Sequence, residues 1–128
     1  MIDAAAACFH GDRPADGHRR GGRWRQPQGA GADDNANIGS ITISINKAYT
    51  SIAFQCETGD LQGVTRQDGP IYGLSDAHGG RLAVFPGGIP LVRDGSIMGA
   101  IGVSTGTIEQ DQEVASAGAA AYLEFAIA

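Results

Sequence analysis

Of the 128 residues only one is lysine, one is tryptophan and two are cysteine. No apolar run approaches the roughly 18 residues that a membrane span needs. These shortages exclude transmembrane, collagen-like and disulfide-scaffold classes. Cys8 and Cys56 stand in neither a CxxC motif nor beside a paired histidine, and read as reduced thiols. The opening residues lack the basic stretch and the long apolar stretch of a secretion signal, which predicts a cytoplasmic product. Basic side chains are also scarce, 9 against 14 acidic ones, for a net charge of -5. That balance argues against a nucleic-acid partner. A chain of this length buries roughly two thirds of its unfolded surface, so one core is enough to hold it.

The charge is unevenly spread. Residues 10–25 hold five of the eight arginines, whereas residues 26–128 are strongly acidic. Between His10 and Asn37 there is no Val, Leu, Ile, Met, Phe or Tyr, and Trp24 is the only large apolar side chain. Such a stretch has nothing to bury, so residues 1–37 read as an aberrant or disordered segment preceding a domain at 38–128.

From Ile38 onward the pattern is that of an α+β domain. Ile41, Ile45, Ala48, Tyr49, Ile52 and Ala53 form a helical stripe, which predicts a helix over 40–55 with Ser40 as N-cap. A glycine-rich loop follows, with one short helical turn at 60–64. Strands are predicted at 81–85, 89–93 and 96–104. Asp94-Gly95 between the last two suits a type I′ turn, which needs positive φ at both central residues. Gly99 and Gly102 in the last strand mark a bulge or a close backbone approach. Thr107 and Gln110 have capping-box spacing and open a final helix, with Val114, Gly118, Ala121, Tyr122 and Phe125 as its expected inner face.

The strings INKAYTSIAF, GPIYGL, GGRLAVFPGGIPLVRDGSIMGAIGVSTGT and EQDQEVASAGAAA carry a resemblance. In their order and spacing they resemble the GlcG/HbpS family, small domains related to the C-terminal part of PduO-type proteins. The resemblance implies a profilin-like α/β/α fold with a five-stranded antiparallel sheet, and assembly into homo-oligomers, often octamers. It also implies, before the KAYT helix, a longer helix and a strand hairpin containing a motif of the type AIAVVDAGGNL. Neither stands in full in this sequence: Met1 to Phe9 would be only the end of that helix, and the hairpin motif is missing. Shifting the reading frame by one base through residues 10–33 permits TAIGQPMAIAVVDAGGNLKAQARM, the missing hairpin. A local frameshift is therefore inferred there, and the first two of the five strands are expected to be lost or disordered.

No nucleophile elbow, HExxH, Walker loop or GxGxxG is present, and the sequence specifies no reaction. Some members of the resembled family bind haem or a related tetrapyrrole. A macrocycle of that size needs an apolar slot, one axial donor and basic groups near its propionates. His78, Tyr72, Arg81 and Arg93 are the candidates, with His78 as the axial donor; the ordinary alternative for His78 is a loop-packing residue. Gly87 and Gly88 allow a ligand to approach the backbone, or simply make a tight turn into a strand. Lys47, Thr50, Gln110 and Asp111 match positions that the family keeps polar and are candidates to line a pocket or a subunit contact. Lys47 has the alternative of an exposed helix lysine, and Asp111 that of favourable interaction with a helix dipole. Two other functions stay open: an accessory protein or subunit in glycolate- or diol-type small-molecule catabolism, and a purely structural oligomerisation domain.

Overall fold

The computed structural model describes residues 5–10, 29–32 and 34–127. Four antiparallel strands, β1 (Ala5–His10), β2 (Gly29–Ala32), β3 (Gly88–Arg93) and β4 (Ser96–Ser104), form one sheet in the order β2-β1-β4-β3. Helix α1 (Ile38–Phe54) packs along all four strands, and α3 (Ile108–Ile127) packs on β3 and β4. Alternation along β4 separates two apolar clusters. Ala100 joins Ala48 and Ile52 on the α1 side, while Ile101 and Val103 join Ile89, Leu91, Ala115 and Ala119 on the α3 side. The expected mixture of helices and antiparallel sheet is therefore present.

Small residues set the distances between layers. A Cβ on Gly102 would collide with the Ser44 carbonyl oxygen, and one on Gly118 would lie 2.6 Å from Ile101 Cδ1. The close approach expected at Gly102 is thus an α1–β4 contact. The hairpin turn also forms as expected, with Asp94 at φ 50 and Gly95 at φ 75. The ladder beyond it slips between Leu91 and Val92, which pair with Gly99 and Ile97, leaving Met98 as the extra residue of a bulge. The short helix α2 (Asp60–Val64) stands where the sequence placed it.

Several expectations need correction. Among the described residues the sheet has four strands, where the family's five less the first two would leave three. Residues 5–9, expected to end a helix, lie in a strand, and the two strands expected to be lost or disordered are present: β1 pairs with β4 from Ala5↔Ser104 to His10↔Gly99, and with β2 from Ala5↔Ala32 to Cys8↔Gly29. Alanine- and glycine-rich segments such as AAACFH and GAGA can pair through backbone hydrogen bonds without large side chains to match. Of the proposed frameshifted segment, residues 11–28 and 33 lie outside the described residues.

Residues 81–85 form no strand. Their backbone instead bonds to threonine side chains: Ala83 N donates to Thr50 Oγ1 at 2.9 Å, and Phe85 O accepts from Thr58 Oγ1 at 2.7 Å. The N-cap of α1 is Asn37, and Ser40 is a buried residue of the first turn. On α3 the buried positions are Asp111, Ala115 and Ala119, while Phe125 is 84% exposed and Ala121 is also exposed. Val114 and Tyr122 pack against this core as expected and Gly118 meets Ile101, so of the predicted inner face only Ala121 and Phe125 turn outward.

Candidate functional site

Five of the candidate residues meet in one buried polar cluster between α1, α3 and the entrance to β3. Lys47 is fully buried, which corrects the exposed-lysine alternative. Its Nζ donates to Asp111 Oδ2 and to Val103 O, both at 2.7 Å, and lies 4.8 Å from the Phe85 ring centroid. Asp111 Oδ1 accepts from Gly106 N at 3.0 Å, at the start of α3. Burial lowers the Lys47 pKa from its ordinary 10.5, and the hydrogen bond and charge of Asp111 only partly offset that effect.

Gly87 sits against this pair at φ 119. Its N–H donates to Gln112 Oε1 at 3.0 Å, and its carbonyl accepts from Val103 N at 2.8 Å. A Cβ here would lie 2.7 Å from Lys47 Nζ, and one on Gly88 would lie 2.6 Å from Lys47 O. The close neighbours of both glycines are thus the protein's own atoms. Gly88 N donates to Thr58 Oγ1 at 2.9 Å, and Thr50 Oγ1 donates to Asn46 O at 2.7 Å while accepting from Ala83 N. The cluster is a latch that clamps residues 81–88 onto α1 and α3.

The second grouping is exposed. His78, at φ 53 in the loop before residue 81, has Nδ1 2.9 Å from Tyr49 Oη. Tyr49 stands on α1, and the Arg81 guanidinium stacks on its ring 3.8 Å from the centroid. Phe54, also on α1, has its ring centroid 6.1 Å from that of His78. His78 and Arg81 are therefore brought together, through Tyr49 and Phe54, which the sequence reading placed only in the helix. Tyr72 is 68% exposed, and Arg93 is at the turn end of β3. Among the described residues no hydrogen bond, ion pair or ring contact joins either of them to His78. Gln110 closes the capping box: its Oε1 accepts from Thr107 N at 2.9 Å, and its N donates to Thr107 Oγ1 at 3.2 Å.

Two further features bear on chemistry. Burial, with Asp60 and Glu57 nearby, pushes up the Cys56 thiol, which keeps it protonated and a poor nucleophile. Thr105, between β4 and α3, holds φ 115, and its buried hydroxyl has no hydrogen-bond partner among the described residues. A β-branched residue at positive φ is a genuine outlier, and nothing in its sequence context flags it. Among the described residues no group of three His, Cys, Asp or Glu is placed to hold a metal ion, and no helix is long and apolar enough to cross a membrane.

Comparison with known proteins places these features in context. A family model described as "Haem degrading protein HbpS-like" matches residues 23–120. An uncharacterized 15.0 kDa protein from the dhaT-dhaS intergenic region of Citrobacter freundii is 38% identical over 82 residues, 64% of this chain and 58% of that protein. The corrinoid adenosyltransferase PduO of Salmonella typhimurium is 34% identical over 98 residues, 77% of this chain and 27% of that enzyme. The chain thus spans less than two thirds of the length of either relative. The crystal structure of the PduOC:heme complex superposes with a TM-score of 0.78 at 27% identity, covering 93% of this chain and 78% of that one.

Proposed function

The chain belongs to the HbpS-like family, and from that premise we propose that it binds haem or a related tetrapyrrole through the exposed face carrying His78 and Arg81. The observation that carries this reading is the likeness to PduOC, a protein solved as a heme complex. The residues of this face suit such a ligand. A macrocycle that brings four nitrogens of its own needs only one protein donor, and His78 Nε2 has no partner among the described residues. Arg81 is the nearby cation for a propionate, and the Tyr49 and Phe54 rings offer aromatic surface. When bound, haem supplies redox and oxygen chemistry; these side chains bind and orient it. Tyr72 and Arg93 belong to the proposal only as outer contacts, and the Lys47–Asp111 latch as the brace behind the loop.

The protein is also proposed to act as a homo-oligomer. Ile38 at the start of α1 and Phe125 near the end of α3 are 88% and 84% exposed, large apolar side chains suited to burial against further copies. Haemin titration of the purified chain tests the ligand. A saturable Soret band is expected, with affinity falling at least ten-fold in His78→Ala. Absence of a Soret shift would overturn the reading. In that case, turnover of a 2-hydroxy acid by the isolated protein would favour the catabolic role, and a stable oligomer that does neither would favour a structural one.

A further inference from the structure

We propose that Tyr49 is the positioning residue for His78: its hydroxyl holds Nδ1, so that Nε2 is the nitrogen presented to a ligand. The proposal rests on the reading of His78 as an axial donor and adds the residue that fixes how that donor is held. Three observations converge on Tyr49. Its Oη lies 2.9 Å from His78 Nδ1, the two rings meet edge-on at 63° with centroids 6.0 Å apart, and Arg81 covers the tyrosine ring at 3.8 Å. The tyrosine is thus held from one side by the guanidinium while its hydroxyl engages the imidazole.

The anchor is stiff and the anchored loop is not inherently so. Tyr49 stands in the middle of a 17-residue helix, flanked by Ala48 and Thr50, both fully buried. His78 stands at φ 53 and precedes two glycines, Gly79 at φ 66 and Gly80 at φ 79. Without a side-chain tether, that glycine-rich backbone would leave the imidazole free to reorient.

A hydroxyl suits this task because it can donate or accept. With the imidazole proton on Nε2, Tyr49 donates to Nδ1. With a metal held at Nε2 the imidazole proton would sit on Nδ1, and Nδ1–H would donate a hydrogen bond to Tyr49 Oη with the ring in the same place. A ligating histidine that donates its second N–H is a stronger base towards the metal, and stronger donation favours the oxidised metal.

The test compares Tyr49→Phe and His78→Ala with the wild-type chain, each titrated with haemin and followed by potentiometry and thermal unfolding. In Tyr49→Phe the Soret band is expected to persist, affinity to fall about ten-fold and the midpoint potential to move positive. Melting should stay close to wild type. Wild-type affinity and potential in Tyr49→Phe, with His78→Ala impaired, would overturn the role of Tyr49 alone. An affinity loss that tracks a fall in melting temperature, with the potential unmoved, would also overturn it, since Tyr49 would then be only structural. A His78→Ala protein that titrates like wild type would remove the axial reading and this proposal with it.

Discussion

The Lys47–Asp111 pair is the most exacting test of how this fold is held. Replacing Asp111 with alanine removes the carboxylate that accepts from both Lys47 Nζ and Gly106 N, and leaves a fully buried ammonium bonded only to Val103 O. Breaking a buried pair from one side costs about 3–5 kcal/mol, against a typical domain stability of about 5–15 kcal/mol. Lys47→Met should cost a similar amount, because it strands the carboxylate. Replacing both residues, as Lys47→Met with Asp111→Leu, restores an apolar filling and should recover most of the loss. Urea unfolding of the four proteins reads these differences directly. A single substitution costing under about 1 kcal/mol, or a double variant as unstable as the summed singles, would refute the reasoning.

The same pair carries a pH signature. Because burial lowers the Lys47 pKa below 10.5, the native state releases its proton at lower pH than the unfolded chain does. Between the lowered value and 10.5 the unfolded state binds more protons, so stability should rise with pH through that window and level off above it. Below the window the full desolvation penalty is present. Subtracting the Lys47→Met profile from the wild-type profile isolates this rise from other groups that titrate at alkaline pH. A difference profile that falls instead would mean that the attraction of Asp111 outweighs desolvation.

Four further substitutions test separate features. Gly88→Ala should cost about 1–3 kcal/mol in urea unfolding, because the added Cβ meets Lys47 O and Thr58 Cγ2 at 2.6 Å, whereas Gly63→Ala, with nothing within 4 Å, should stabilise α2 by up to about 1 kcal/mol. Thr107→Ala removes one arm of the capping box and should cost about 1 kcal/mol by the same measurement. Thr105→Gly should raise the melting temperature, since it relieves a positive φ and a buried unpaired hydroxyl together; a lower melting temperature would show that the threonine is not strained.

Much of the fold could be read because its signals are local. The Asp94-Gly95 turn, the capping box at Thr107 and the bounds of α2 and β4 each follow from a few adjacent residues. The strand predicted at 81–85 failed for the opposite reason: its extended pattern is satisfied by Thr50 and Thr58, which lie 33 and 27 positions away from the atoms they bond. Likewise the burial of Lys47 depends on Asp111, 64 positions along the chain. Periodicity marks one face of a helix as polar, but only the tertiary partner decides whether that face meets water or a buried carboxylate. At the site, His78 and Arg81 were legible as candidates. Tyr49 was read as an ordinary member of the apolar stripe, because a tyrosine satisfies that stripe with its ring while its hydroxyl acts elsewhere.

The buried and exposed clusters share one piece of backbone. Arg81 stacks on Tyr49, Ala83 is tied to Thr50, and Phe85 lies over Lys47, so successive odd residues of the segment 81–85 meet α1. The segment then passes through Gly87, which fits only because no side chain intrudes on Lys47 Nζ. A polar latch of this kind costs desolvation that an apolar filling would avoid, yet its directional bonds fix the loop at one register. It follows that the Lys47→Met, Asp111→Leu double variant separates stability from function. It should unfold much like wild type, while the Arg81–Tyr49 stack loosens and haemin affinity falls. Unchanged haemin affinity in a protein of unchanged stability would mean that the Thr50 and Thr58 bonds suffice to hold the loop.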